Sequence, residues 1–145
     1  MKISTKGRYA VRMMIDLAEH QGDGVVSLKD IAERQGISKK YLEQIVQILN
    51  RSDFLTTSRG YRGGYRLARP ACEYTVKDIL ELTEGGFAPT ACMESGAVDC
   101  ERCEICATLP MWKGLQQTVE AYLSGITIQD LLERQQALYA NSYVI

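Results

Sequence analysis

Between Thr5 and Gln21, apolar side chains fall at Tyr9, Ala10, Met13, Met14, Leu17 and Ala18. That three-and-four spacing marks one face of a helix, which Gly22 and Gly24 then end. Ser27 stands where an N-cap belongs, with Asp30 at the third helical position and Ile31 and Ala32 on the inner side, so a short second helix is predicted as far as Gly36. Ser38 is a second N-cap, and Tyr41, Leu42, Ile45, Ile48 and Leu49 share one face of a third helix ending near Ser52. Two helices joined by a few residues around a glycine have the layout of a helix-turn-helix.

The period then changes. Phe54 to Ser58 reads as a strand, Arg59-Gly60-Tyr61-Arg62-Gly63-Gly64 as a turn, and Tyr65 to Leu67 as the returning strand. Thr75 can cap a fourth helix through about Glu84, where Gly85 and Gly86 break it. No periodicity follows until Cys106 or Leu109, so this stretch is expected to be a loop. Pro110 suits the first turn of a helix reaching Ser124, with Trp112, Leu115, Val119, Tyr122 and Leu123 on one face. Gly125 ends it, and Thr127 caps a last helix containing Ile128, Leu131 and Leu132, after which the chain to Ile145 carries no firm signal. The expected fold class is mainly α with a small β-wing.

Charge sharpens this picture. The formal net charge of -1 conceals a basic front and an acidic back: residues 1–70 hold 13 Lys and Arg against 7 Asp and Glu, net +6, and the rest hold 4 against 11, net -7. A basic module built on a helix-turn-helix suits a polyanion. The chain lacks a run of about 18 apolar residues and a secretion-type leader, which leads us to expect a cytoplasmic protein with no membrane partner.

On the third helix, Ser38, Lys39, Lys40, Glu43, Gln44 and Gln47 fall off the apolar stripe, where a recognition helix presents its reading side chains. Lys39 and Lys40 can pair with phosphate or guanine, and the Gln44 amide can both donate to and accept from a base edge. Glu43 is the odd member, since a carboxylate among phosphates weakens binding unless it accepts from a cytosine amine. Arg59 and Arg62 flank a glycine-bounded tip that can enter a minor groove or grip the backbone. An isolated charge cluster is more often only a solvated face; here helix, turn, helix and basic hairpin occur in register, which favours the nucleic-acid reading.

Taken together, Met1 to Ala10, Ile31 to Ser38, Tyr41 to Gln44, Arg59-Gly60 and Gly63-Gly64-Tyr65 resemble the bacterial winged helix-turn-helix transcription regulators of the iron-sulfur cluster regulator family. Its members include the cluster regulator IscR, the nitric-oxide sensor NsrR and the cysteine-metabolism regulator CymR. The resemblance covers nearly the whole chain and is closest to IscR. It implies a homodimer built on the helix from Pro110 to Ser124, a palindromic duplex DNA operator, and repression of cluster-biogenesis or related genes. On this reading residues 1–70 bind DNA, 71–90 form a connecting helix, 91–107 a cysteine-rich loop, and 108–145 the dimerisation and C-terminal helices.

Five cysteines occur, and Cys92, Cys100, Cys103 and Cys106 crowd into fifteen positions. Thiolates are the soft ligands that iron-sulfur clusters and zinc prefer. In the IscR pattern Cys92, Cys100 and Cys106 match the three ligand cysteines, with two residues more between the first pair; Leu109 stands where that pattern has a histidine. An NsrR-like aspartate ligand would fall on Arg8. Cys103 or a residue of a second chain is left as the fourth ligand. The resemblance favours an iron-sulfur cluster, 2Fe-2S ahead of 4Fe-4S, with structural zinc as the plain rival. Nitric-oxide or redox sensing, and cluster-independent regulation like that of CymR, remain open as alternatives. Without a nucleotide-binding loop, a second histidine or a paired general base near the thiols, an enzyme is not expected.

Overall fold

The computed structural model describes residues 1–98 and 100–142. These form six α-helices and one two-stranded sheet: α1 (Thr5–His20), α2 (Leu28–Gln35), α3 (Lys39–Arg51), β1 (Leu55–Ser58), β2 (Gly64–Leu67), α4 (Val76–Glu84), α5 (Leu109–Ser124) and α6 (Ile128–Ser142). Short 3-10 turns occupy Ala71–Glu73, Ala91–Met93 and Cys103–Ile105.

Each early helix begins at its own cap. The side-chain oxygens of Ser4, Ser27 and Ser38 accept the amide hydrogens of Gly7, Asp30 and Tyr41, satisfying donors that a helix start otherwise leaves open. Thr75 and Asp78 form a complete capping box at α4. Gly36 and Gly85 close α2 and α4 in the left-handed conformation, at φ 63° and 79°, which glycine adopts without a Cβ penalty.

Met13, Met14 and Leu17 of α1, Ile31 of α2, and Leu42, Ile45 and Leu49 of α3 are fully buried in one cluster that Ile79 and Ile128 complete. Each such side chain contributes about 1.5–3 kcal/mol relative to exposure. The three N-terminal helices therefore form one body, with α4 and α6 laid on α1. A second, smaller cluster joins Val76, Leu80 and Phe87 to Ile3, Val119 and Leu123, so α5 is fastened beside α4. Tyr74 ties the two halves: buried, it donates from its hydroxyl to Phe54 O at 2.7 Å and accepts from Arg69 N at 3.0 Å, while the Arg69 guanidinium lies 4.7 Å from its ring centroid.

The strands pair antiparallel with Leu55 opposite Leu67 and Ser58 opposite Gly64. Tyr65 also exchanges both backbone hydrogen bonds with Val26, at 2.8 and 2.9 Å, which binds the wing to the segment ending in the α2 cap. A Cβ at Gly64 would overlap the Val26 carbonyl, so only glycine admits this approach.

Two helices differ from the sequence expectation. The last runs on to Ser142 rather than fading after Leu132; residues 143–145 lie outside the described residues. The apolar face expected on α5 divides: Trp112, Val119 and Leu123 are half-buried, but Leu115 and Tyr122 are exposed, along with Met111.

Candidate nucleic-acid interface and metal centre

Because α3 buries Leu42, Ile45, Val46 and Leu49, the remaining positions of its amphipathic surface face outward. All seven candidate contacts, Ser38, Lys39, Lys40, Glu43, Gln44, Arg59 and Arg62, are exposed. An open groove of about 750 Å³ runs between α3, the start of α2 and the wing. Lys39, Glu43 and Arg59 line it, joined by Lys29, Gln47, Asn50, Thr57 and Ser58; Ser38, Lys40, Gln44 and Arg62 lie outside that lining. Lys29, Asn50, Thr57 and Ser58 were not singled out from the sequence, although Lys29, two residues past the cap Ser27, lies in a helix's first turn where phosphates are commonly held. The groove thus presents three cations and one carboxylate, Glu43, along with amide and hydroxyl groups able to hydrogen-bond bases or phosphate.

Two contacts set how α3 is held. Tyr9 of α1 meets Tyr41, in the first turn of α3, edge to face at 5.6 Å between centroids, with the Arg12 guanidinium 5.3 Å from the Tyr9 ring centroid. Below this pair, Asp16 is the one buried charged residue among the described residues. Its carboxylate accepts from Arg34 Nε at 3.0 Å, Arg34 Nη2 at 2.7 Å and Gln35 Nε2 at 2.9 Å, and Arg12 in turn donates to Gln35. The hydrogen bonds to Asp16 hold the Arg34 guanidinium above its ordinary pKa. A bidentate arginine fork therefore clamps the end of α2 to α1.

In the wing, a Cβ at Gly63 would press on the Ser58 and Gly60 carbonyl oxygens, and Gly60 has φ 108°. This tight turn leaves Arg59, Tyr61 and Arg62 projecting, with Tyr61 fully exposed.

All five cysteines are free thiols. Cys92 Sγ lies 3.3 Å from Thr90 Oγ1, and Cys103 N donates to Cys100 O at 3.1 Å. Cys106 Sγ lies 3.4 Å from Thr108 Oγ1, and hydrogen bonds from Thr108 and the Leu109 amide hold this thiol below its usual range. Among the described residues no group of three or more cysteine, histidine or acidic side chains is gathered closely enough to hold a metal. His20 Nδ1, when it carries the proton, donates to Asp16 O at 3.0 Å within α1, and Arg8 is exposed. Leu109 is buried. The donor chemistry of the loop nevertheless fits an iron-sulfur cluster or zinc: four unpaired soft ligands, none fully buried, on a segment anchored by buried Phe87, Met93 and Leu109.

No helix among the described residues is long and apolar enough to cross a membrane. The chain is 36% identical to the HTH-type transcriptional regulator IscR of Photorhabdus laumondii over 95% of this chain and 83% of that one. Among solved structures it resembles CymR, the global cysteine regulator of B. subtilis, at 34% identity and TM-score 0.78, covering 92% of this chain and 98% of that one. It also resembles IscR of T. potens at 39% identity and TM-score 0.74, covering 93% and 88%. Its relatives are transcription regulators rather than enzymes. Residues 3–134 match Rrf2, described as an iron-dependent transcriptional regulator, and this DNA-binding winged-helix chain belongs to that family.

Proposed function

We propose that the chain is a homodimeric, sequence-reading regulator that binds a palindromic operator and whose affinity responds to an iron-sulfur cluster held by Cys92, Cys100, Cys103 and Cys106. The observation that carries this reading is the cationic groove between α3 and the wing, which is shaped for a phosphate-bearing strand and edged by side chains able to reach bases. Ser38 caps α3 and so fixes the height at which Lys39, Lys40, Glu43 and Gln44 meet the duplex. Arg59 and Arg62 add contacts from the wing.

Dimerisation is supported by α5. Met111, Leu115, Thr118 and Tyr122 are exposed and follow a 4-3-4 spacing, the seam of a helix that pairs with a second copy. Two such copies would set two α3 helices in successive major grooves on one face of the duplex, which is why the operator is expected to be palindromic.

When bound, a cluster would supply a redox-sensitive link between the two halves of the loop; the resemblance to IscR favours the 2Fe-2S form. Every other element of the mechanism belongs to the chain itself. Phe87 and Leu109 anchor the loop ends, α5 fixes the spacing of the reading heads, and the groove supplies the charge.

The test is binding of the duplex that the wild-type chain selects from a random pool, after anaerobic purification with iron and sulfide analysis. Lys40→Ala is expected to weaken all sequences alike and to flatten the salt slope by about 0.9 for each half-site, about 1.8 for the dimer, whereas Gln44→Ala should lose about 1–3 kcal/mol of discrimination at one base pair of each half-site. Cys92→Ala should lose cluster absorbance and shift operator affinity. Unchanged binding in both helix variants would place the interface elsewhere, and equal affinity of loaded, metal-free and Cys92→Ala protein would remove the cluster from the mechanism.

A further inference from the structure

Glu84 is the last residue of α4 and precedes Gly85 and Gly86, the hinge into the cysteine loop. Its position is unfavourable for its own helix, because a carboxylate at a helix C-terminus opposes the macrodipole. The carboxylate is directed elsewhere. Oε1 accepts from Ser4 N at 3.2 Å and from Ser4 Oγ at 2.6 Å, across a separation of 80 residues. Ser4 is the N-cap of α1, so the negative charge sits at the positive end of that helix, where it is stabilising. Gly7 leaves the room: a Cβ there would collide with Glu84 Oε1.

The contact lies on a continuous path. The cysteine loop leaves α4 through Gly85 and Gly86, with φ 79° and 137°, and Phe87 is buried against Val76 and Leu80 in the cluster that also holds Ile3. Glu84 grips the start of α1. Between one and two turns further, Tyr9 meets Tyr41 in the first turn of the recognition helix. Every step is a packed or hydrogen-bonded contact within one chain.

We propose that Glu84 is the positioning residue that transmits the state of the cysteine loop to the DNA-reading helix, through Ser4 and the N-terminal turn of α1. This rests on the cluster-responsive regulator reading above. Ordering of the loop pulls on the end of α4, and the Glu84–Ser4 bonds convert that displacement into a shift of α1 and hence of Tyr41. Glu84 touches neither DNA nor the thiols; its effect is on the coupling between them, a quantity separate from either affinity.

The experiment compares the full chain as wild type, Glu84→Ala and Glu84→Gln, each metal-free and anaerobically reconstituted with iron and sulfide, on the duplex selected by the wild type. The readout is the ratio of operator affinities in the two states. The wild-type ratio is expected within the usual allosteric span of about 5- to 150-fold. Glu84→Ala should keep the visible absorbance of the loaded protein and its metal-free operator affinity within about twofold, while its ratio collapses to within about twofold of unity. Glu84→Gln retains an acceptor oxygen and should restore most of the coupling. In the metal-free protein, Glu84→Ala should also speed amide exchange at Gly7 and Arg8. A wild-type ratio surviving in Glu84→Ala, or exchange in that turn left unchanged, overturns the assignment to Glu84 alone. A wild-type ratio of one, or wild-type protein that takes up no cluster, overturns the regulator reading and this inference with it, and either result is visible before any variant is made.

Discussion

Replacing Asp16 with alanine tests the clamp between α1 and α2. The side chain is fully buried and receives three hydrogen bonds, two from Arg34 and one from Gln35. Truncating one member of a buried ion pair costs about 3–5 kcal/mol, because the partner charge is left uncompensated. The Arg34 side chain is 34% exposed and can turn toward water, which places the expected loss at the low end, about 3 kcal/mol. For a domain with a total stability of about 5–15 kcal/mol this is a large fraction. In urea unfolding with an m near 2 kcal/mol/M, the midpoint should fall by about 1.5 M, and the melting temperature by about 6–12 °C. The Asp16→Ala/Arg34→Ala double variant should lose at least about 1 kcal/mol less than the sum of the singles, since both remove the same interaction. A midpoint shift under about 0.3 M, or strictly additive losses, would refute the clamp as a structural determinant.

Two further outcomes follow from local geometry. Gly64→Ala forces β2 away from the Val26 carbonyl; a loss of about 1–3 kcal/mol is expected, with weaker operator binding below the unfolding transition, and wild-type values in both melts and binding would show that the close approach is not required. Hydrogen bonds from Thr108 and Leu109 lower the Cys106 pKa in the folded chain, so its thiolate is already populated as pH rises toward the usual thiol value. In metal-free protein at pH 8, iodoacetamide should therefore modify Cys106 faster than Cys72; the difference should vanish in denaturant, and Thr108→Val should slow Cys106, which mass spectrometry of the labelled peptides would report.

Helix starts were legible in the sequence because each carries its own signal. Ser27, Ser38 and Thr75 cap the helices expected of them, and Gly36 and Gly85 end two of those helices where expected. The wing was legible because two short β-type runs flank a glycine turn. The full length of α6 was not: beyond Leu132 this helix touches α1 through Gln135 and Glu19, and its remaining turns lack the apolar stripe that periodicity detects. Asp16 was passed over for a related reason, since it sits among Met13, Met14 and Leu17 on a buried face, and a search for apolar spacing ignores a carboxylate whose partner lies 18 residues away. On α5 a face about a third of the circumference wide looked uniform in sequence, yet its two edges have different fates. The outward candidates on α3 and the wing could be named from patterning, but which of them share a groove depends on how the hairpin leans on Val26, and spacing along the chain carries no such information.

One quiet feature governs how the family's loop can vary. Thr75 and Thr127 form an isolated antiparallel bridge, with Val76 N bonded to Ile126 O at 2.9 Å and Ile128 N to Tyr74 O at 3.0 Å. The stretch from α4 through the thiols and α5 therefore departs from and returns to a single knot at the base of the head. With both ends already pinned, added residues mainly enlarge a closed circuit, and even doubling its length adds only about 0.6 kcal/mol of closure entropy. Two extra residues between Cys92 and Cys100 are thus nearly neutral for the fold, which leaves the cysteine-bearing appendage free to lengthen while the head itself stays the same.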